Sequence, residues 1–194
     1  MTFATPEASI KLTLALTDDQ FFQLCQDNRD LQFERTALGE IIIMPPTGSE
    51  SGRRNSEITI QLGVWNKQTG LGEVFDSSSG FHLPNGADYA PDTAWVSRER
   101  WDALTPEQRE RFAPICPDVV IELRSRTDSL PKLQAKMREY IENGAKLGWL
   151  LDRQNQCVEV YRPGKATELL QAPRTIAADD ILPGFTLDLQ KILY

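Results

Sequence analysis

The stretch Pro117–Trp149, PDVVIELRSRTDSLPKLQAKMREYIENGAKLGW, decides how this chain is read. Its opening run is apolar enough for a buried strand, yet it carries a carboxylate, Glu122, in its middle. Taking an ionised carboxyl out of water costs several kcal/mol or more unless a cation, a proton or several donors go with it, so Glu122 needs a partner. Alternation along VVIELRS sends Val119, Ile121 and Leu123 to one face and Val120, Glu122 and Arg124 to the other. A turn follows, then a helix whose core stripe is Leu133, Met137, Tyr140 and Ile141; Gly144 ends it, and GWLLD resumes as a strand. The result is a β-α-β unit. At about 100° per residue, Lys136 lies about 40° around this helix from Tyr140 and about 60° from Leu133. It borders the buried stripe, within reach of the sheet. A metal ion, Lys136 and Arg124 all stand as partners for Glu122.

Outward from this unit the pattern is mixed. Thr17 and Gln20 form a capping box that opens a helix through about Asn28. LQFERT and GEIIIMPP read as a hairpin turned at Leu38 and Gly39 and stopped by Pro45 and Pro46. Ile58, Leu62 and Trp65 give a long helix over about Ser49 to Gln68. Gly72 to Ser97 reads as short strands in a meander, the last carrying Asp92. Residues 99–112 read as a polar helical insertion with Thr105 as cap and Pro106 at its first helical position. After GWLLD, CVEVYR returns as an antiparallel strand and TELLQ as a shorter one. These elements make one α/β (α+β) domain over 1–194: an N-terminal helix and hairpin (10–46), a core (49–161) and a C-terminal extension (162–194).

The chain has 194 residues, which suits a single domain with a core large enough to need no cross-link. Its three cysteines, Cys25, Cys116 and Cys157, are odd in number and contain no CxxC pair, as expected of reduced thiols in a cytoplasmic protein. The start lacks a charged leader with an apolar core, and no run reaches the length of a membrane span. A net charge of −7 argues against a broad basic face for nucleic acid. Basic groups do gather locally, with Arg53 and Arg54 in one place and Arg124, Arg126, Lys132, Lys136, Arg138 and Lys146 in another. There is no Walker loop and no GxGxxG after a strand, and His82 is the only histidine, so nucleotide-driven chemistry and His-pair metal sites have no motif.

Asp92 follows Pro91 at the start of APDTAWV, and Glu122 comes from the apolar strand. Two carboxylates from neighbouring strands make a minimal hard-cation site, and a nearby lysine adds a compact positive charge. Pro91-Asp92 followed by Glu122 resembles the PD-(D/E)xK nuclease superfamily. The strings GEIIIMPPTG, APDTAWVS, PDVVIELRSRTDSL, KMREYIENGAKLGWLLD and LPGF resemble its Uma-type branch of restriction endonucleases across nearly the whole chain. The resemblance implies a restriction-endonuclease-like fold, with a mixed central sheet flanked by helices. It implies a Mg2+- or Mn2+-dependent endonuclease of DNA, with Asp92 and Glu122 on the metal and Lys136 as the third catalytic residue. Arg124 stands where the superfamily places its lysine, and the resemblance to the Uma-type branch implies that the lysine has moved to the following helix, at Lys136. Glu57, on the long helix, is an additional ligand candidate and Arg124 an additional cation. Asn55, Asp76, Ser125 and Asp128 are weaker contacts for water or phosphate, and Asp128 also suits a helix cap. A homodimer or larger homo-oligomer is expected, because cutting both strands favours paired sites. The contrasting reading is a nuclease fold that binds nucleic acid or regulates without cutting, suggested by Arg124 in the lysine position and by the acidic net charge.

Overall fold

A computed structural model describes residues 10–194, so the reading of residues 1–9 as free of a leader lies outside the described residues. The N-terminal part contains β1 (Ile10–Thr13), α1 (Asp18–Asp27), β2 (Gln32–Arg35), β3 (Glu40–Met44) and α2 (Ser49–Thr69). There follow β4 (Gly72–Asp76), β5 (Phe81–His82), β6 (Asp88–Tyr89), β7 (Thr93–Ser97), α3 (Arg98–Asp102) and α4 (Pro106–Arg109). The remainder contains β8 (Val119–Leu123), α5 (Leu130–Glu142), β9 (Leu147–Asp152), β10 (Cys157–Tyr161), β11 (Glu168–Gln171), β12 (Thr175–Ala177), β13 (Thr186–Asp188) and α6 (Gln190–Leu193).

The central sheet is mixed, in the order β11-β10-β9-β8-β7-β4, with β8 and β9 parallel and its other neighbours antiparallel. Alternation along β8 assigns its two faces as its residues require. Val119, Ile121 and Leu123 pack with Ile58, Leu62 and Trp65 of α2, while Val120 packs with Met137 and Tyr140 of α5. Each fully buried side chain of this size contributes about 1.5–3 kcal/mol, which makes the amphipathic faces of α2 and α5 the main attachment of helix to sheet. Gly148 of β9 lies under Met137 of α5, where a Cβ would stand 2.5 Å from Met137 Cε and oblige the end of that side chain to shift. Gly144, at φ +108°, takes the backbone turn that ends α5.

A second sheet, β1-β3-β2-β6-β5, lies at the N-terminal side. Here the structure goes beyond the expected hairpin. β1 pairs with β3, and Arg35 of β2 pairs with Asp88 of β6, a buried ion pair at 2.6 Å whose carboxylate also meets His82 Nδ1 at 2.8 Å. The expected capping box of Thr17 with Gln20 forms, and Thr105, expected as a cap, makes a second box with Gln108. The second of them breaks the expected helical insertion into α3 and α4, since Pro106 starts a new helix and cannot continue an old one. The C-terminal residues are part of the core, with Leu182, Phe185, Leu187 and Ile192 packed against Trp149 and Trp65. Among the described residues no helix is long and apolar enough to cross a membrane.

Candidate functional site

The sheet register builds the site. β7 and β8 pair as Thr93↔Ile121 and Ala94↔Val120, so Asp92, just ahead of β7, falls beside Glu122 on the face that α5 covers. Asp92 is fixed at both oxygens: Oδ2 accepts the Leu123 N–H at 2.8 Å and Oδ1 accepts Asn55 Nδ2 at 2.6 Å. Lys136 reaches over from α5, with Nζ 2.8 Å from Glu122 Oε1. It also meets Glu34 Oε1 of β2 at 2.7 Å. Tyr140 donates its hydroxyl to Glu122 Oε1 at 3.2 Å, and the ammonium lies 5.3 and 5.7 Å from the ring centroids of Tyr89 and Tyr140. Glu34, Tyr89, Asp92, Glu122 and Lys136 line a cleft of ≈ 660 Å³, bordered by Pro45, Pro46 and the Ser125–Ser129 loop.

Two carboxyls contact the one ammonium and Asp92 stands beside them, a crowding of acids that favours protonated Glu122 and Asp92. Burial pushes Glu122 up to about 8; the Lys136 ammonium opposes this, while Asp92 and Glu34 reinforce it. Asp92 is raised as well, because burial outweighs the Leu123 N–H, Lys136 and Asn55. Burial alone would pull Lys136 down, but the carboxylates of Glu122 and Glu34 hold it above its usual value, so it stays an ammonium. An environment that is short of positive charge suits a cation.

The donors are all oxygen. Asn55 Oδ1 is buried beside Asp92 with no hydrogen-bond partner, an acceptor left over after its amide has aligned that carboxylate. Among the described residues there is no group of three or more His, Cys, Asp or Glu that would close a cage round a metal. Two carboxylates and an amide oxygen fit a Mg2+-like ion, which keeps several waters and is bound by one or two carboxylates and a substrate's phosphates.

The Uma2 family model, described as "Putative restriction endonuclease", matches residues 18–190. The chain belongs to the Uma2 family. Among solved structures, the Uma2 chain is similar to the crystal structure of "a putative nuclease belonging to DUF820" from Anabaena variabilis ATCC 29413. The TM-score is 0.76 at 22% identity, over 92% of this chain and 98% of that one, a likeness of fold. No curated protein matches the chain.

Asp92, Glu122 and Lys136 come together in this one cleft, and two expected additions do not. Glu57 is turned about 160° around α2 from Asn55 and takes the amide of Gln61 at 3.1 Å. The helix faces the cleft through Asn55, which bonds Asp92, so Glu57 is directed away from the metal candidates. Arg124 leaves the Glu122 face where β8 ends, and its Nη1 pairs with the buried Asp152 at 2.8 Å. It braces the β9–β10 turn. Arg54, one of the locally gathered basic groups, is buried and donates to the backbone carbonyls of Ile192 and Tyr194. Asp128 holds the Ser125 N–H at 2.7 Å, while Ser129 is the N-cap of α5. Asp76 binds within its own turn, to Ser78.

Two site residues gave little sign of themselves in the sequence. Glu34 sits in the short strand QFER, and its partner Lys136 is 102 residues away. Tyr140 read only as part of a core stripe, and its hydroxyl proves to touch Glu122.

Proposed function

We propose that this Uma2 chain is a Mg2+- or Mn2+-dependent endonuclease that hydrolyses DNA phosphodiesters, with Asp92 and Glu122 as metal ligands and Lys136 as the catalytic cation. The observation that carries this reading is the convergence of these three side chains in one cleft, with the lysine supplied by α5. A divalent ion bound there would supply Lewis acidity and a water of lowered pKa.

The chain's own residues would do the rest. Asn55 and the Leu123 N–H hold Asp92 in one orientation, so that no reorganisation is needed as charge builds. Lys136, kept charged by its carboxylates, faces the phosphate and is most useful where negative charge grows on the non-bridging oxygens. In the hydrolysis, water oxygen forms the new bond to phosphorus, the bond to the leaving oxygen breaks, and that oxygen gains a proton. Cutting both strands would bring two such sites together, as in a homodimer or larger assembly.

A binding module that does not cut is favoured by one observation: Arg54 and Arg124 are committed to the fold away from the cleft, whose basic lining is Lys11, Arg126, Lys132 and Lys136. Calorimetric titration with Mn2+ and a plasmid assay decide between the two. The nuclease reading expects Mn2+ binding that Asp92→Ala and Glu122→Ala each abolish in folded protein, with plasmid cleavage that EDTA stops. Retained Mn2+ binding in both variants removes the metal assignment, and DNA binding without cleavage selects the module.

A further inference from the structure

From the geometry of β2 we infer that Glu34 is a positioning residue of the site, holding Lys136 in place when Glu122 is engaged with another cation. A single oxygen of Glu34, Oε1, accepts the Ala90 N–H at 3.1 Å and the Lys136 ammonium at 2.7 Å. Ala90 stands two residues before Asp92, so this carboxylate ties the backbone that delivers Asp92 to the helix that delivers Lys136. Glu34 is 4% exposed, and a buried carboxylate of this kind requires a cation in contact.

Lys136 is shared between two carboxylates, and the two differ in what else they can do. Glu122 is beside Asp92 and is the carboxyl a divalent ion would draw on. Glu34 reaches the site from the other sheet, with its oxygen already committed to the Ala90 N–H. With the charge of Glu122 directed to a metal, Glu34 remains as the counter-ion that keeps the half-buried Lys136 charged and near the rings of Tyr89 and Tyr140. The N-terminal sheet therefore contributes to the site itself.

The kinetic part of the test rests on the nuclease reading, and a labelling part does not. In metal-free protein, trace acetylation read by mass spectrometry compares Lys136 with the exposed Lys67. Lys136 should label far more slowly than Lys67, and in Glu34→Gln it should label several-fold faster than in the parent, because the carboxylate that pins its ammonium in place is gone. In the parent, plasmid cleavage is the reference. Glu34→Gln should lower kcat by about a hundredfold through misplacement of the ammonium, with KM and Mn2+ affinity unchanged, and Glu34→Asp should recover part of that loss. Should Glu34→Gln fail to fold, the parent's Lys136 protection and the Glu34→Asp protein carry the same comparison. Equal labelling of Lys136 and Lys67 in the parent, or unchanged labelling in a folded Glu34→Gln, overturns the inference. Loss of Mn2+ binding in Glu34→Gln also overturns it, by making Glu34 a ligand. A parent that does not cut removes the nuclease reading and leaves the labelling result to judge Glu34.

Discussion

Raising the pH should weaken the metal-free protein, and Glu122 should be the main cause. In the folded chain its carboxyl is pushed from the ordinary 4.5 to about 8, so over that window the native state keeps a proton that the unfolded chain has released. The sign follows directly: the stability is fully present below pH 4.5 and is lost as pH rises through about 8. At about 1.4 kcal/mol per pH unit the ceiling is about 5 kcal/mol, and relaxation of the pair with Lys136 brings the expected loss to about 2–5 kcal/mol. Asp92, also raised, adds to the same trend. Lys136 does not oppose it, since its ammonium stays protonated across the window. Asp18, Glu50, Asp118 and Asp180 are lowered, so their titrations fall below the window. Urea unfolding in EDTA at pH 5, 6, 7 and 8 should show the midpoint falling by about 1 M or more, for a slope of about 2 kcal/mol/M. Glu122→Gln keeps an acceptor for Tyr140 without a titrating charge, so its curve should be flatter and it should be the more stable protein at pH 8. A parent midpoint that is flat or rises from pH 5 to 8, or a Glu122→Gln protein that declines as steeply, would refute this account of the site's electrostatics.

Further outcomes follow from side chains that the fold has already committed. Arg124→Ala should cost about 1–3 kcal/mol by leaving the buried Asp152 without its ion partner, and should leave cleavage within a few-fold of the parent. A large loss of cleavage with stability intact would return Arg124 to the chemistry. DNA affinity should fall with salt along a shallow line, about −2 to −4 in log–log slope per chain, since few of the basic groups line the cleft. A slope of about −6 or steeper would mean that DNA is held by a surface outside this cleft.

Much of the arrangement was legible because local rules and the fold agree. The β8–α5–β9 unit followed from alternation, a helical stripe and a terminal glycine, and the same geometry brought Lys136 to Glu122. Thr17 and Thr105 cap helices where the sequence placed them. The misreadings have physical reasons. β1 is exposed at all four positions, so no burial pattern marks it as a strand. Glu57 was placed on the right helix but in the wrong phase. With Ile58 and Leu62 facing the core, Asn55 falls on the side of β7 and Glu57 on the other, together with Arg54 and Gln61. Arg124 follows the β8 alternation only until the strand ends at Leu123, after which the chain turns it to Asp152. Glu34 was silent because its meaning lies in a contact between two sheets, which periodicity within QFER does not encode.

The most direct test of the central claim is cleavage of supercoiled plasmid in Mg2+ or Mn2+ by the parent and by Lys136→Met, with DNA affinity measured on the same preparations. The account predicts metal-dependent cutting by the parent, its elimination in Lys136→Met, and nearly unchanged affinity, because one contact among several adds little to binding but stands where transition-state charge develops. A folded Lys136→Met protein that cuts at the parent rate would contradict it.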